Sequence, residues 1–185
     1  MPWTEEEIAA YREAWPVGGA KRLCFELLYW TSARTVDAVK LSPSMVKGGV
    51  LEFTQQKTGC KAYVPWTCSL PAWASAFERD RSFLMQCLPV KVFTYLETSG
   101  HIRSRKGLSN AIAQGATKVG IDKTAHGLRK ARLIHIAEAG GSAHAIMSWG
   151  GHKTMSEAQE YVREADSRRL IMSTHPAKDL VRGSE

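Results

Sequence analysis

No stretch of this 185-residue sequence approaches the roughly 18 apolar residues that a membrane-spanning helix needs. Nor does it open like a secretory leader. The start, MPWTEEEIAAYREAW, is acidic and amphipathic, where a signal peptide has a basic head and an apolar core. Cysteine is scarce: Cys24, Cys60, Cys68 and Cys87 form no CxxC pair and have no histidine at ligand spacing, which argues against a zinc site. A chain this long does not need disulfide staples, so the four read as reduced thiols, partly in the core. Internal repeats, low-complexity segments, dividing linkers and clusters of acidic metal ligands are all missing. One domain remains, with a cytosolic protein as the default.

Apolar residues make up 44% and charged residues 23%, close to the average for soluble globular proteins, and the length is ample for a hydrophobic core. The net charge of +7 and a pI near 9.4 favour a polyanionic partner, through release of counterions at phosphates. Where the basic residues fall matters more than their number.

Thr4 followed by Glu7 has the form of a capping box, opening a helix through about Trp15. Pro16 and Gly18-Gly19 break it. Leu23, Leu27 and Leu28 mark one face of a second helix reaching Thr31, and Arg34 begins a third, short stretch ended by Ser42-Pro43. The period then changes. Residues 50–54 and 61–65 read as two strands joined by Gln56-Lys57-Thr58-Gly59. A helix over 70–79 and a short strand over 90–95 follow, with a turn at Ser99-Gly100. From Ser104 the chain reads as helical, with Leu108, Ile112 and Val119 in one helix and His126 to Ala139 in the next, closed by Gly140-Gly141. Helices at 143–149, 154–165 and 166–173 complete the series. The fold class is α+β, mainly helical, with a small antiparallel sheet inserted among the helices.

The C-terminal third carries the chemistry. His126 and Arg129 lie three residues apart and so share a helix face. Gly151-His152 follows, and Tyr161 stands nine residues after His152. The segment AHGLRKARLIHIAEAGGSAHAIMSWGGHKTMSEAQEYVREAD resembles, in identity and spacing, the His-x-x-Arg, Gly-His and tyrosine box of the tyrosine recombinase (phage integrase) family. Upstream, Thr31-Ser32-Ala33-Arg34-Thr35-Val36-Asp37 resembles the family's T-G-x-R-x-x-E motif, and Lys57-Thr58-Gly59 its hairpin lysine. Ser32 stands where the family usually has glycine and Asp37 where it has glutamate.

The resemblance implies a catalytic domain over 1–175 and a tail over 176–185. It also implies that the family's N-terminal DNA-clamping domain is absent from this chain. The expected function is that of a site-specific recombinase or integrase, cutting and rejoining double-stranded DNA through a 3′-phosphotyrosine, with no metal and no cofactor. Self-association as a tetramer on paired sites is expected of the full-length protein, without membrane contact, in the cytoplasm of a bacterium or of a phage's host, associated with the nucleoid. DNA binding by this piece alone is expected to be weak and largely independent of sequence.

Physical chemistry supplies the roles. Charge builds on the non-bridging oxygens of a five-coordinate phosphorus, where Arg34 and Arg129 would act as always-protonated forks and His152 would donate another hydrogen bond. Tyr161 would be the nucleophile and His126 its base, because a hydroxyl with a pKa of about 10 needs help to ionise. Lys57 would protonate the leaving 5′-oxygen. Asp37 would orient Arg34 from one turn away. Arg103, Arg105, Lys106, Lys130, Arg132 and Lys153 are candidate contacts to the DNA backbone, which position without reading sequence.

Blander readings hold elsewhere. Tyr11, Tyr29, Tyr63 and Tyr95 are structural, His101, His135, His144 and His175 match no motif position, and most of Trp15, Trp30, Trp66, Trp73 and Trp149 belong to the core. Two other functions stand as alternatives. A type IB topoisomerase uses a similar residue set to relax DNA, and a non-catalytic module could read DNA with a helix-turn-helix over 131–152.

Overall fold

The structure is a computed structural model and describes residues 1–173. The tail expected at 176–185 lies outside the described residues. Helix α1 (Glu5–Ala14) opens on a complete capping box: the Thr4 hydroxyl accepts the Glu7 N–H at 3.2 Å and the Glu7 carboxylate accepts the Thr4 N–H at 2.9 Å. Helix α2 (Ala20–Thr31) is buried from Cys24 through Thr31 on every side, the signature of a helix enclosed by others. Its neighbours are the one-turn α3 (Thr35–Ala38), α4 (Glu78–Cys87), α5 (Arg105–Thr117) and α6 (Ala125–Glu138). Two helices follow in sequence, the short α7 (Ala143–Gly150) and the long α8 (Met155–Ser173), both packed on α6. None of the described helices is long and apolar enough to cross a membrane.

The sheet is β1 (Val46–Lys47), β2 (Val50–Thr54) and β3 (Lys61–Pro65), antiparallel and in chain order. Alternation fixes the register: Leu51 and Phe53 of β2 and Ala62 and Val64 of β3 point inward, and Leu51 pairs Val64. Two tryptophans tie the layers together. Trp30 at the end of α2 donates to the Pro65 carbonyl, and Trp149 of α7 donates to the Trp30 carbonyl, each at 2.8 Å. The two rings meet edge to face with centroids 5.1 Å apart. All four cysteines are free, with Cys24 and Cys87 buried.

Several expectations need correction. No strand forms over 90–95, because Lys91 adopts left-handed backbone (φ 56°) and Val90 and Phe93 face solvent. The helix expected over 70–79 starts later and runs further: a 3-10 turn over Ala72–Phe77 leads into α4, whose charged run ERDRS masks the inward Leu84 and Cys87. Strand β1 is too short to show a period, yet pairs with β2 across Gly48-Gly49. The two helices expected at 154–165 and 166–173 are one, α8. Helix α7 packs on β3 and α8, so it does not stand free as a recognition helix would.

Candidate active site

Helix α2 ends at Ser32, whose left-handed backbone (φ 48°, ψ 20°) turns the chain sharply. Arg34 then takes an extended conformation as the residue that opens α3. Its Nη1 atom is buried and has no hydrogen-bond partner among the described residues. Asp37 does not supply one, contrary to expectation. Its Oδ1 atom instead accepts the backbone N–H of Gln56 at 2.9 Å, and no ion pair joins it to Arg34 among the described residues. A carboxylate at the third residue of α3 thus anchors the turn that carries Lys57.

That turn is anchored a second time. The Gln55 amide donates to the Gly150 carbonyl, and the Thr58 hydroxyl donates to the Gly151 carbonyl at 3.2 Å. Such contact needs glycines. Gly151 caps α7 at φ 60°, and a Cβ there would lie 2.7 Å from Gln55 Cγ. On Gly150 a Cβ would lie 2.5 Å from the His152 ring. Gln55 has no distinguishing signal in the sequence, since an amide beside a hairpin turn is ordinarily solvated.

Arg129 sits at the junction of these elements, buried on α6. Its Nη1 donates to the Ser32 carbonyl, and its Nη2 donates to the Gly150 carbonyl at 2.8 Å and to His152 Nε2 at 3.0 Å. The carbonyl ends of α2 and α7, the negative poles of their dipoles, therefore both face one guanidinium. Burial, reinforced by Arg34, pushes the Arg129 pKa down to about 10, so it stays charged at neutral pH. An arginine always donates, so His152 Nε2 must be the acceptor and Nδ1 carries the hydrogen toward the Ile146 carbonyl at 3.4 Å. Burial and then Arg129 push His152 down to about 4, which keeps it neutral. In this state the histidine holds Arg129, and neither ring nitrogen is free to donate to a phosphate as expected from the sequence.

A cavity of about 590 Å³ brings together Arg34, Lys57, His126 and Arg129, four of the six residues expected to be catalytic. Arg105 joins them from the first turn of α5. The remaining lining is Ala33, Thr35, Val36, Gln56 and Ala125, with no carboxylate. Lys57 and His126 are exposed at its rim. Burial, then Lys130 and Arg129, lowers the His126 pKa, favouring the neutral imidazole.

Tyr161 does not line this cavity. It stands on α8, half-buried, in an adjacent cavity with Lys130, Ile134, Glu138 and the first residues of the chain. Its ring lies 6.3 Å from the His152 ring. Burial raises the hydroxyl pKa, Arg129 draws it back down, and Glu157 and Glu160 push it up.

The candidate DNA-backbone cations divide. Arg105, Lys106 and Lys153 are exposed and Lys130 is half-buried, whereas Arg103 turns inward and leaves Nε buried without a partner. Arg132 is a correction: it is fully buried, pairing with Asp80 at 2.8 Å and lying over the Tyr29 ring at 4.0 Å. Its spacing along α6 turns it toward α2 and α4 instead of solvent. Among the described residues, no three His, Cys, Asp or Glu side chains gather where they could hold a metal.

The fold has counterparts among known proteins. Among solved structures, the fold is similar to that of a lambda integrase dimer bound to a core site, with a TM-score of 0.68 and 20% identity. That match covers 85% of this chain and 59% of the other. The lambda integrase catalytic core matches with a TM-score of 0.66 and 20% identity, covering 83% of this chain and 92% of that one. XerH site-specific recombinase in a post-cleavage complex matches at 0.65 and 14% identity, covering 94% of this chain and 52% of that one. The chain thus spans about half to three-fifths of the longer lambda and XerH structures. None of the curated proteins matches. The family model described as "Phage integrase family" matches residues 5–168, nearly the whole chain, and the protein therefore belongs to that family, the tyrosine recombinases.

Proposed function

We propose that residues 1–175 form a catalytic domain that cuts and rejoins double-stranded DNA through a 3′-phosphotyrosine on Tyr161, without a metal, as part of a site-specific recombinase or integrase. The observation that carries this reading is the cavity itself: four cationic side chains and a neutral histidine, no carboxylate, and a buried Arg34 Nη1 with no partner. A buried guanidinium nitrogen without an acceptor is costly unless an anion arrives. A phosphodiester fits, since its two non-bridging oxygens match the arginine forks.

In this reading the Tyr161 oxygen attacks phosphorus, its proton passes to His126, and the bond to the 5′-oxygen breaks as Lys57 protonates that oxygen. Arg34 and Arg129 stabilise the charge on the pentacoordinate phosphorus, and His152 acts through its hydrogen bond with Arg129. Tyr161 first has to leave its own cavity and turn its hydroxyl toward Arg129. The phosphotyrosine keeps the bond energy, so a second DNA hydroxyl reverses the step without ATP. In the full-length protein, four such domains would act on paired sites.

The test is covalent trapping on nicked suicide duplexes in EDTA, read as a protein–DNA adduct on a denaturing gel. Wild-type protein is expected to give an adduct and Tyr161→Phe none. An adduct that survives in Tyr161→Phe would remove the assignment.

A further inference from the structure

The segment between α4 and α5 has no role in the chemistry above. It presents Val90, Phe93 and Ile102 to solvent at 84%, 88% and 63% exposure. The backbone beneath them is well anchored. The Glu97 carboxylate accepts the N–H groups of Phe93 at 3.0 Å and Thr94 at 3.3 Å, and Tyr95 donates to the Leu41 carbonyl at 2.9 Å. Thr98 and His101 pair across the Ser99-Gly100 turn. Thr94, Tyr95 and Leu96 are buried, so the anchored loop turns Phe93 outward by construction. Three large apolar side chains held exposed on one anchored segment make it a candidate for contact with a partner.

Charge indicates the occupant. Lys91, Arg105 and Lys106 are exposed, and the only carboxylate from Leu88 to Lys106 is Glu97, already committed to the loop's own N–H groups. Arg105, three residues after Ile102, also lines the cavity that holds Arg34 and Lys57, so this segment leads into the rim of the proposed phosphate site. Resting on the DNA reading above, we propose that this loop is a second contact with duplex DNA. Phe93 and Ile102 enter a groove beside the reacting phosphate while Lys91 and Lys106 take flanking phosphates. Apolar side chains can wedge at base steps, whereas lysines hold phosphates through charge.

The two kinds of contact answer differently to salt, which makes them separable. The experiment measures fluorescence anisotropy of a fluorescein-labelled duplex of about 30 base pairs with the full chain, across a potassium chloride series. Phe93→Ser combined with Ile102→Ser is expected to weaken binding about tenfold and leave the slope of log K against log salt unchanged, because no phosphate contact is lost. Lys91→Ala combined with Lys106→Ala is expected to make that slope shallower by about two. Equal binding by wild type and the Phe93/Ile102 variant would overturn the loop proposal and leave the active-site reading standing. So would a variant altered only in self-association, which would mark the loop as a protein contact. Wild-type protein that binds no duplex even at low salt would remove both readings together.

Discussion

Ser32 bears two local penalties. Its backbone is left-handed, which disfavours any residue with a Cβ by about 1–2 kcal/mol, and its hydroxyl is buried without a partner. Its carbonyl nevertheless accepts from Arg129, so the turn is needed. Ser32→Gly would relieve both penalties at the expense of a more flexible unfolded chain, a loss of about 0.5–1 kcal/mol. The expected outcome is a protein at least as stable as wild type and up to about 1 kcal/mol more so, measured by urea denaturation. Marked destabilisation would mean that the hydroxyl has a function. The departure from glycine at this position is visible in the sequence; that the chain still makes the turn there is not, because the compensation comes from Arg129, 97 residues away.

At the scale of elements, the hairpin turn is tied to the rest of the site through side chains. Asp37, Gln55 and Thr58 provide its anchors, and Lys57 rides on it. Lys57→Ala is expected to slow cleavage by about 100-fold or more, as for loss of a general acid. Asp37→Ala is expected to slow it by about tenfold through loss of position. A substrate whose bridging 5′-oxygen is replaced by sulfur leaves without a proton and should restore both; a Lys57→Ala defect that persists on it would argue against the acid role. The helices and the hairpin were readable because their periods are long and their caps explicit, as at Thr4 and Glu7. The loop around Phe93 was not, since VKVFTY has strand-like composition and only an unpaired edge and the Lys91 backbone tell otherwise. In the site, the motif spacing singled out Arg34, Lys57, His126 and Arg129, which one cavity brings together, and also His152, bonded to Arg129, and Tyr161, which stands in an adjacent cavity. It assigned Asp37 the wrong partner, because sequence distance favours a neighbour on the same helix over a turn 19 residues away.

For the whole molecule, two histidines govern acid stability. His152 and His135 are both pushed down to about 4, chiefly by burial. Each is neutral when folded and takes up a proton when unfolded, near pH 6.5. Stability is therefore fully present above about pH 7 and falls as pH drops from about 6.5 to 4, by roughly 3 kcal/mol for each group. Urea denaturation across that range checks this, and His135→Gln and His152→Gln should each flatten the slope by about half. The basic character of the chain is likewise redistributed by folding. Arg12, Arg22 and Arg132 are neutralised internally by Glu26 and Asp80, while the cations around the cavity have no carboxylate among its lining. Outward charge is thereby concentrated where an anion would be received.

The Gly150 carbonyl receives both the Gln55 amide and Arg129 Nη2. One oxygen thus reports to the phosphate clamp whether the lysine-bearing hairpin is seated, and reports to the hairpin whether the clamp is set. Such wiring couples the two: a hairpin that lifts away removes one of the two donors that fix the carbonyl on which Arg129 also rests. Losses from Gln55→Ala and Arg129→Lys should then fail to sum in a double-mutant cycle on cleavage rate, with an interaction of about 1 kcal/mol or more. On the proposed reading, a half-assembled domain would leave DNA uncut.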